Sequence, residues 1–146
     1  MRITDTEVEN MACNCNCGGK ITGLAHIGIM VKDIDASIGF YRDTLGFELT
    51  DKVDLGAVKL GFLHIGSCLI ELVQTPDYAA RVPGTVDHIA VEVVGIEELV
   101  CKLVDKGVKF LTDKIEVLPN LLGGVKNIFF TGPDGERLEF FEYTGK

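Results

Sequence analysis

His26-Ile27-Gly28-Ile29-Met30-Val31 returns 62 positions later as His88-Ile89-Ala90-Val91-Glu92-Val93. Apolar residues alternate with polar or small ones in both, which is the pattern of a strand with two unlike faces. The residues after each segment repeat as well. Downstream of the first, Asp33 can cap a helix in which Ile34, Ile38, Tyr41 and Leu45 recur at helical spacing, and Gly46 can end it. Downstream of the second, Ile96, Leu99, Val100, Leu103 and Val104 form the same kind of stripe, with Glu97 and Glu98 in the first turn and Gly107 at the end. Strand-like runs close each half. Residues 58–65 and 68–73 flank Gly66-Ser67, and residues 125–131 and 137–143 flank Gly132-Pro133-Asp134-Gly135, both strong turn signals. Each half thus reads strand, helix, then two or three strands. Two such modules make an α+β domain. Module one covers residues 21–75 and module two residues 85–143. A linker over 76–84 carries Pro76, Pro83 and Gly84, and a tail over 1–20 precedes the 21–146 domain.

The composition narrows the partners. The chain has 146 residues, 47% apolar and 25% charged, which suits one folded domain. Its net charge of −8 argues against nucleic acid or an anionic membrane surface as partner. No apolar stretch is long enough for a bilayer span. Asp5, Glu7 and Glu9 interrupt any secretory signal at the start, so a cytoplasmic location is expected. Five cysteines without such a signal suggest reduced thiols. Cys13, Cys15 and Cys17 crowd into the tail, where they either bind a soft metal or simply ride ahead of the domain; Cys68 and Cys101 are expected as buried small hydrophobes.

Alternation also sorts the faces. Ala25, Ile27, Ile29 and Val31 should pack under the first helix, leaving His26, Gly28 and Met30 on the opposite face. Likewise Ile89, Val91 and Val93 should face the second helix, leaving His88, Ala90 and Glu92 opposite. The last strand of each half adds a carboxylate inside an apolar run: Glu71, 45 positions after His26, and Glu139, 51 positions after His88. An acid placed so is costly unless it is paired or binds a metal. Two imidazoles and two carboxylates at equivalent places predict a site for one divalent transition metal, with positions left for water or substrate. His64 has no counterpart in the repeat and reads as structural, while Glu142, one residue out of phase, should point to the helix side or to solvent.

These residues resemble the vicinal oxygen chelate superfamily, which includes glyoxalase I, methylmalonyl-CoA epimerase, ring-cleaving dioxygenases and antibiotic-resistance proteins. The matching segments are His26-Ile27-Gly28-Ile29, Phe40-Tyr41-Arg42-Asp43-Thr44-Leu45-Gly46-Phe47, Ile70-Glu71-Leu72, Asp87-His88-Ile89-Ala90 and Pro133-Asp134-Gly135 through Glu139. The resemblance implies two paired βαβββ modules forming a cupped, eight-stranded, metal-binding sheet, and a homodimer. His26, Glu71, His88 and Glu139 are similar to the ligand set of glyoxalase I, which implies nickel, cobalt or zinc. Epimerases of the family carry Gln at the place of Glu71. Met30 stands where glutathione-using members have Arg, and Leu118-Pro119-Asn120-Leu121-Leu122-Gly123-Gly124 occupies the place of their thiol-conjugate contact.

The implied activity is that of a metal-dependent lyase of the glyoxalase I type, acting on a small carbonyl compound by removing a proton next to the carbonyl. Glu139 is the expected base and Glu71 the acid that returns the proton. Met30, Phe62, Leu121, Leu122 and Phe129 are the expected substrate contacts, with the leucine loop either a lid or a cover for a junction. The alternatives are an epimerase or racemase working through the same proton removal, and a non-catalytic resistance protein that sequesters a small molecule.

Overall fold

The computed structural model describes residues 24–82 and 84–145. The cysteine triplet Cys13, Cys15 and Cys17 lies outside these residues. In chain order the elements are β1 (Ile27–Met30), α1 (Ile34–Gly39), β2 (Glu48–Asp54), β3 (Lys59–Ile65), β4 (Cys68–Gln74), β5 (Ile89–Glu92), α2 (Ile96–Asp105), β6 (Glu116–Leu118), β7 (Val125–Thr131) and β8 (Arg137–Tyr143). The fold is α+β, and the eight strands form two four-stranded sheets rather than one continuous ladder. Their orders are β1-β4-β3-β2 and β5-β8-β7-β6. In each sheet the first strand runs parallel to the last, and the other pairings are antiparallel.

The duplication holds residue by residue. Gly28 pairs with Glu71 across β1 and β4, and Ala90 pairs with Glu139 across β5 and β8. Phe62 on β3 then faces Glu71, as Phe129 on β7 faces Glu139. The two tight turns work as the glycines predict: Gly66, joining β3 to β4, has φ 55°, and Gly135, before β8, has φ 78°.

Helix α1 starts at Asp33, whose side chain accepts the N–H groups of Asp35 and Ala36. Its last part, Phe40–Thr44, widens into a π-helical turn around the buried ring of Tyr41. The stripe Ile34, Ile38 and Tyr41 is buried as expected, with Leu45 packed against it. On β3, Gly61 faces this helix: a Cβ there would lie 3.0 Å from Ile38 Cδ1, so glycine lets the helix settle close to the sheet. Helix α2 begins instead at Gly95, in the left-handed region with φ 77°, whose N–H is taken by Glu142. Glu142 therefore points to the helix side. Of the expected α2 stripe, Val104 is not part of the core but 59% exposed. Cys101 is also exposed and Cys68 half-buried, so neither is the fully buried hydrophobe expected of it. Cys101 falls on the outer side of α2.

One core serves both modules, running from Ile29, Leu63 and Leu72 to Ile128, Phe130 and Phe140. The polar seam beside it binds α1 to the turn between β7 and β8. Tyr41 donates its hydroxyl to Glu136 at 2.7 Å, and Asp134 accepts the Lys32 N–H at 2.8 Å and the Ser37 hydroxyl at 3.2 Å. Burial and the Glu136 carboxylate push the Tyr41 hydroxyl far above the ordinary phenol range, so it stays a donor. Among the described residues, no helix is long and apolar enough to cross a membrane.

Candidate metal centre

Each module brings one histidine and one glutamate into contact. His26, just ahead of β1, has its Nε2 3.1 Å from Glu71 Oε2. His88, just ahead of β5, has its Nε2 3.1 Å from Glu139 Oε2. The register explains both contacts, because each histidine lies two residues before the small residue that faces the glutamate. A Cβ on Gly28 would make ordinary contact with Glu71 Oε2 at 3.7 Å, so the alanine found at the matching position 90 would fit there too. Phe62 and Phe129 stand beside the two glutamates, and the Phe129 ring meets the His88 ring edge-on at 5.2 Å.

The four side chains are gathered as two pairs. Among the described residues of one chain, no three His, Cys, Asp or Glu side chains converge closely enough to hold one ion. Pairing within a module comes from strand register, whereas a shared centre depends on how modules are juxtaposed.

The surroundings of the pairs differ. Asn127, on β7, donates its Nδ2 to Glu139 Oε1 at 2.7 Å, and Glu139 is only 4% exposed. Asp87 Oδ2 lies 2.9 Å from His88 Nδ1, and Arg137 holds both oxygens of Asp87 at 3.0 Å while its guanidinium sits 5.0 Å above the Phe129 ring. The hydrogen bond from His88, together with the Arg137 charge, holds the Asp87 carboxyl below the usual carboxylate range. An ionised Asp87 can only accept, so Nδ1 of His88 carries a proton. Nε2 then faces Glu139 Oε2. Asn127, Asp87 and Arg137 were not among the sequence candidates. Their signals are Asn127 sitting two residues before Phe129 in an apolar strand, and Asp87 sitting directly before His88.

The donor set fits a divalent transition metal. Ligand atoms about 2.1 Å from such an ion, at right angles to one another, lie about 3 Å apart. Each His–Glu pair has that spacing, with one nitrogen and one oxygen donor and no thiolate.

The expected substrate contacts are divided. Phe62 and Phe129 sit at the pairs, and Met30 is half-exposed on the same face as Gly28. Met30 also lines a cavity of about 290 Å³ at the junction of the modules, together with His88, Arg137, Arg81 and Tyr78. Leu121 and Leu122 lie away from this chain's own pairs. Their loop enters β7 at Val125, four residues and roughly 13 Å of strand from Phe129. The loop is also more fixed than its glycines imply, since Gly124 N–H bonds to Leu121 O and Thr144 N–H to Gly124 O. Gly124 has φ 112°, and a Cβ there would strike the Thr144 hydroxyl, so its role is close approach.

Residues 23–140 match the family model of the glyoxalase/bleomycin resistance protein/dioxygenase superfamily, and the chain belongs to that superfamily. Its curated relatives include the uncharacterised protein YwbC of Bacillus subtilis, 39% identical over 80% of this chain and 94% of YwbC. A probable lactoylglutathione lyase of Synechocystis is 33% identical over 84% of this chain and 97% of the lyase. The mitochondrial methylmalonyl-CoA epimerase of the mouse is 27% identical over 67% of this chain and 61% of the epimerase. Among solved structures, a glyoxalase family protein of Enterococcus faecalis superposes with a TM-score of 0.70 at 27% identity, covering 83% of this chain and 98% of that one. Members of the superfamily commonly bind a divalent metal and act on small molecules.

Proposed function

We propose that this protein is a metal-dependent lyase of the glyoxalase I type, which moves a proton on the carbon next to a carbonyl. The observation that supports it most is the duplicated His–Glu pair, each at the spacing of neighbouring metal ligands and at equivalent register in its sheet. His26, Glu71, His88 and Glu139 would hold one ion of nickel, cobalt or zinc. Two pairs that stay apart within one chain favour a homodimer, in which module one of each copy meets module two of the other. When bound, the metal supplies a Lewis acid that stabilises the enediolate oxygens.

The protein's own groups handle the proton. Glu139 takes it from the substrate carbon and passes it to solvent, while Glu71, on the opposite side of the assembled site, delivers a proton that it draws from solvent. A carboxylate so placed contributes roughly 10²–10⁴-fold. Phe62, Phe129 and Met30 offer the substrate an apolar wall, and Leu121 and Leu122 of the other copy would complete it. Return of a proton to the neighbouring carbon is isomerisation, and return to the same carbon is epimerisation. Sequence similarity to a methylmalonyl-CoA epimerase favours the second outcome as the alternative.

The test is proton exchange in deuterated water with nickel-, cobalt- or zinc-loaded protein and a panel of hemithioacetals and acyl thioesters. Deuterium should enter the substrate carbon, and Glu139→Gln should slow exchange about 10²-fold or more while metal stays bound. Exchange at the native rate in that variant refutes Glu139 as base. A monomer in sedimentation at micromolar concentration refutes the shared site.

A further inference from the structure

The two ligand pairs are equivalent in position and unequal in support. Asn127 faces Phe141 on β8, two residues beyond Glu139; at the matching place in module one, Leu60 faces Val73, two residues beyond Glu71. Asp87 directly precedes His88, where Ala25 precedes His26. Arg137 lies two residues before Glu139, where Leu69 lies two before Glu71. Among the described residues, every outer contact thus exists once, in module two.

The Asn127 contact decides what Glu139 can do. A carboxylate with two free oxygens can bind an ion through either or both, and can rotate between those modes. Here Oε1 is taken by the Asn127 amide at 2.7 Å in a buried setting, and only Oε2, 3.1 Å from His88 Nε2, remains on the open side. Glu71 has Leu60 where that amide would stand, and its side chain is 20% exposed against 5% for Glu139. We propose that Asn127 is a positioning residue: it holds Glu139 by Oε1 so that Oε2 alone faces the ion and the substrate proton, making the module-two pair the more firmly held half of the centre. This role rests on the proposed metal site.

Groups that orient a metal ligand from outside typically cost 10–100-fold in affinity when removed. Titration calorimetry with Zn²⁺ on the full chain should therefore show Asn127→Leu, which installs the module-one residue, binding 10–100-fold more weakly than the native protein. A second measurement needs no variant. In zinc titrations of the native chain followed by NMR, the Asn127 side-chain amide signal should shift with the His88 ring signals and in the same proportion. Native protein that binds Zn²⁺ with an unmoved Asn127 amide, or Asn127→Leu that folds and binds as tightly as native, overturns the positioning role alone. Native protein that binds no Zn²⁺, Ni²⁺ or Co²⁺ overturns this role together with the proposed metal site.

Discussion

Module one and module two share one plan and have spent their polar residues differently. In module two, His88 and Glu139 are each held from behind, by Asp87 and Asn127, and Arg137 locks Asp87. In module one, Ala25, Leu60 and Leu69 occupy the same places, and His26 and Glu71 face each other with more exposure. The packing shows the reverse economy. Gly61 lets α1 lie almost on β3, while its counterpart on β7 by register is the buried Ile128. Duplicated modules can thus keep a common geometry while one braces its His–Glu pair and the other packs its helix closely.

The sharpest way to break this comparison is to remove the two histidines separately. His88→Ala should weaken zinc binding by more than about 100-fold, since it removes the imidazole from the better supported pair; His26→Ala should weaken it less, nearer the upper end of the roughly 10–100-fold range. Equal losses in calorimetry would show that the extra contacts of module two confer no advantage. Next in size, Gly61→Ala drives a methyl to 3.0 Å from Ile38 and should destabilise the fold by about 1–3 kcal/mol in denaturant unfolding. An unchanged midpoint would mean that α1 is not held close by that glycine. The smallest effect is expected for Gly28→Ala, which gives module one the residue that module two has at Ala90. Its new methyl makes only ordinary contact with Glu71, so stability should change by less than about 0.5 kcal/mol. A larger loss would mean that the two site faces differ in shape as well as in support.

Much of the architecture was legible because the repeat carries its own check. The strand segment that begins with a histidine, the helical stripe and the hairpin turn each appear once per module, and all are local patterns. The misses are places where local pattern is weak. Strand β2 is largely exposed, and its register shifts between Leu49 and Asp51, so it shows little alternation. Strand β6 is three residues long. The start of α2 has glycine where a capping side chain is usual, and its acceptor, Glu142, comes from 47 residues away. For the site, alternation placed the two histidines on one face, and a lone acid inside each apolar run singled out Glu71 and Glu139. It could not find Asn127 as a partner of Glu139, because that contact arises from the register of two strands. Nor does any periodicity encode that the pairs stay separate, which depends on the packing of whole modules.

The seam between α1 and the β7–β8 turn has a consequence for biosynthesis. Ser37 and Tyr41 wait for Asp134 and Glu136, which are made 97 and 95 residues later. On a ribosome adding about 5–20 residues per second, the first helix is out many seconds before its clasp exists. Until then Tyr41 lacks the Glu136 carboxylate that receives its hydroxyl, while the apolar underside of the nascent helix can already pack on β3 and β4. Early protection of that helix thus falls to its own sheet, and the later-made turn completes it.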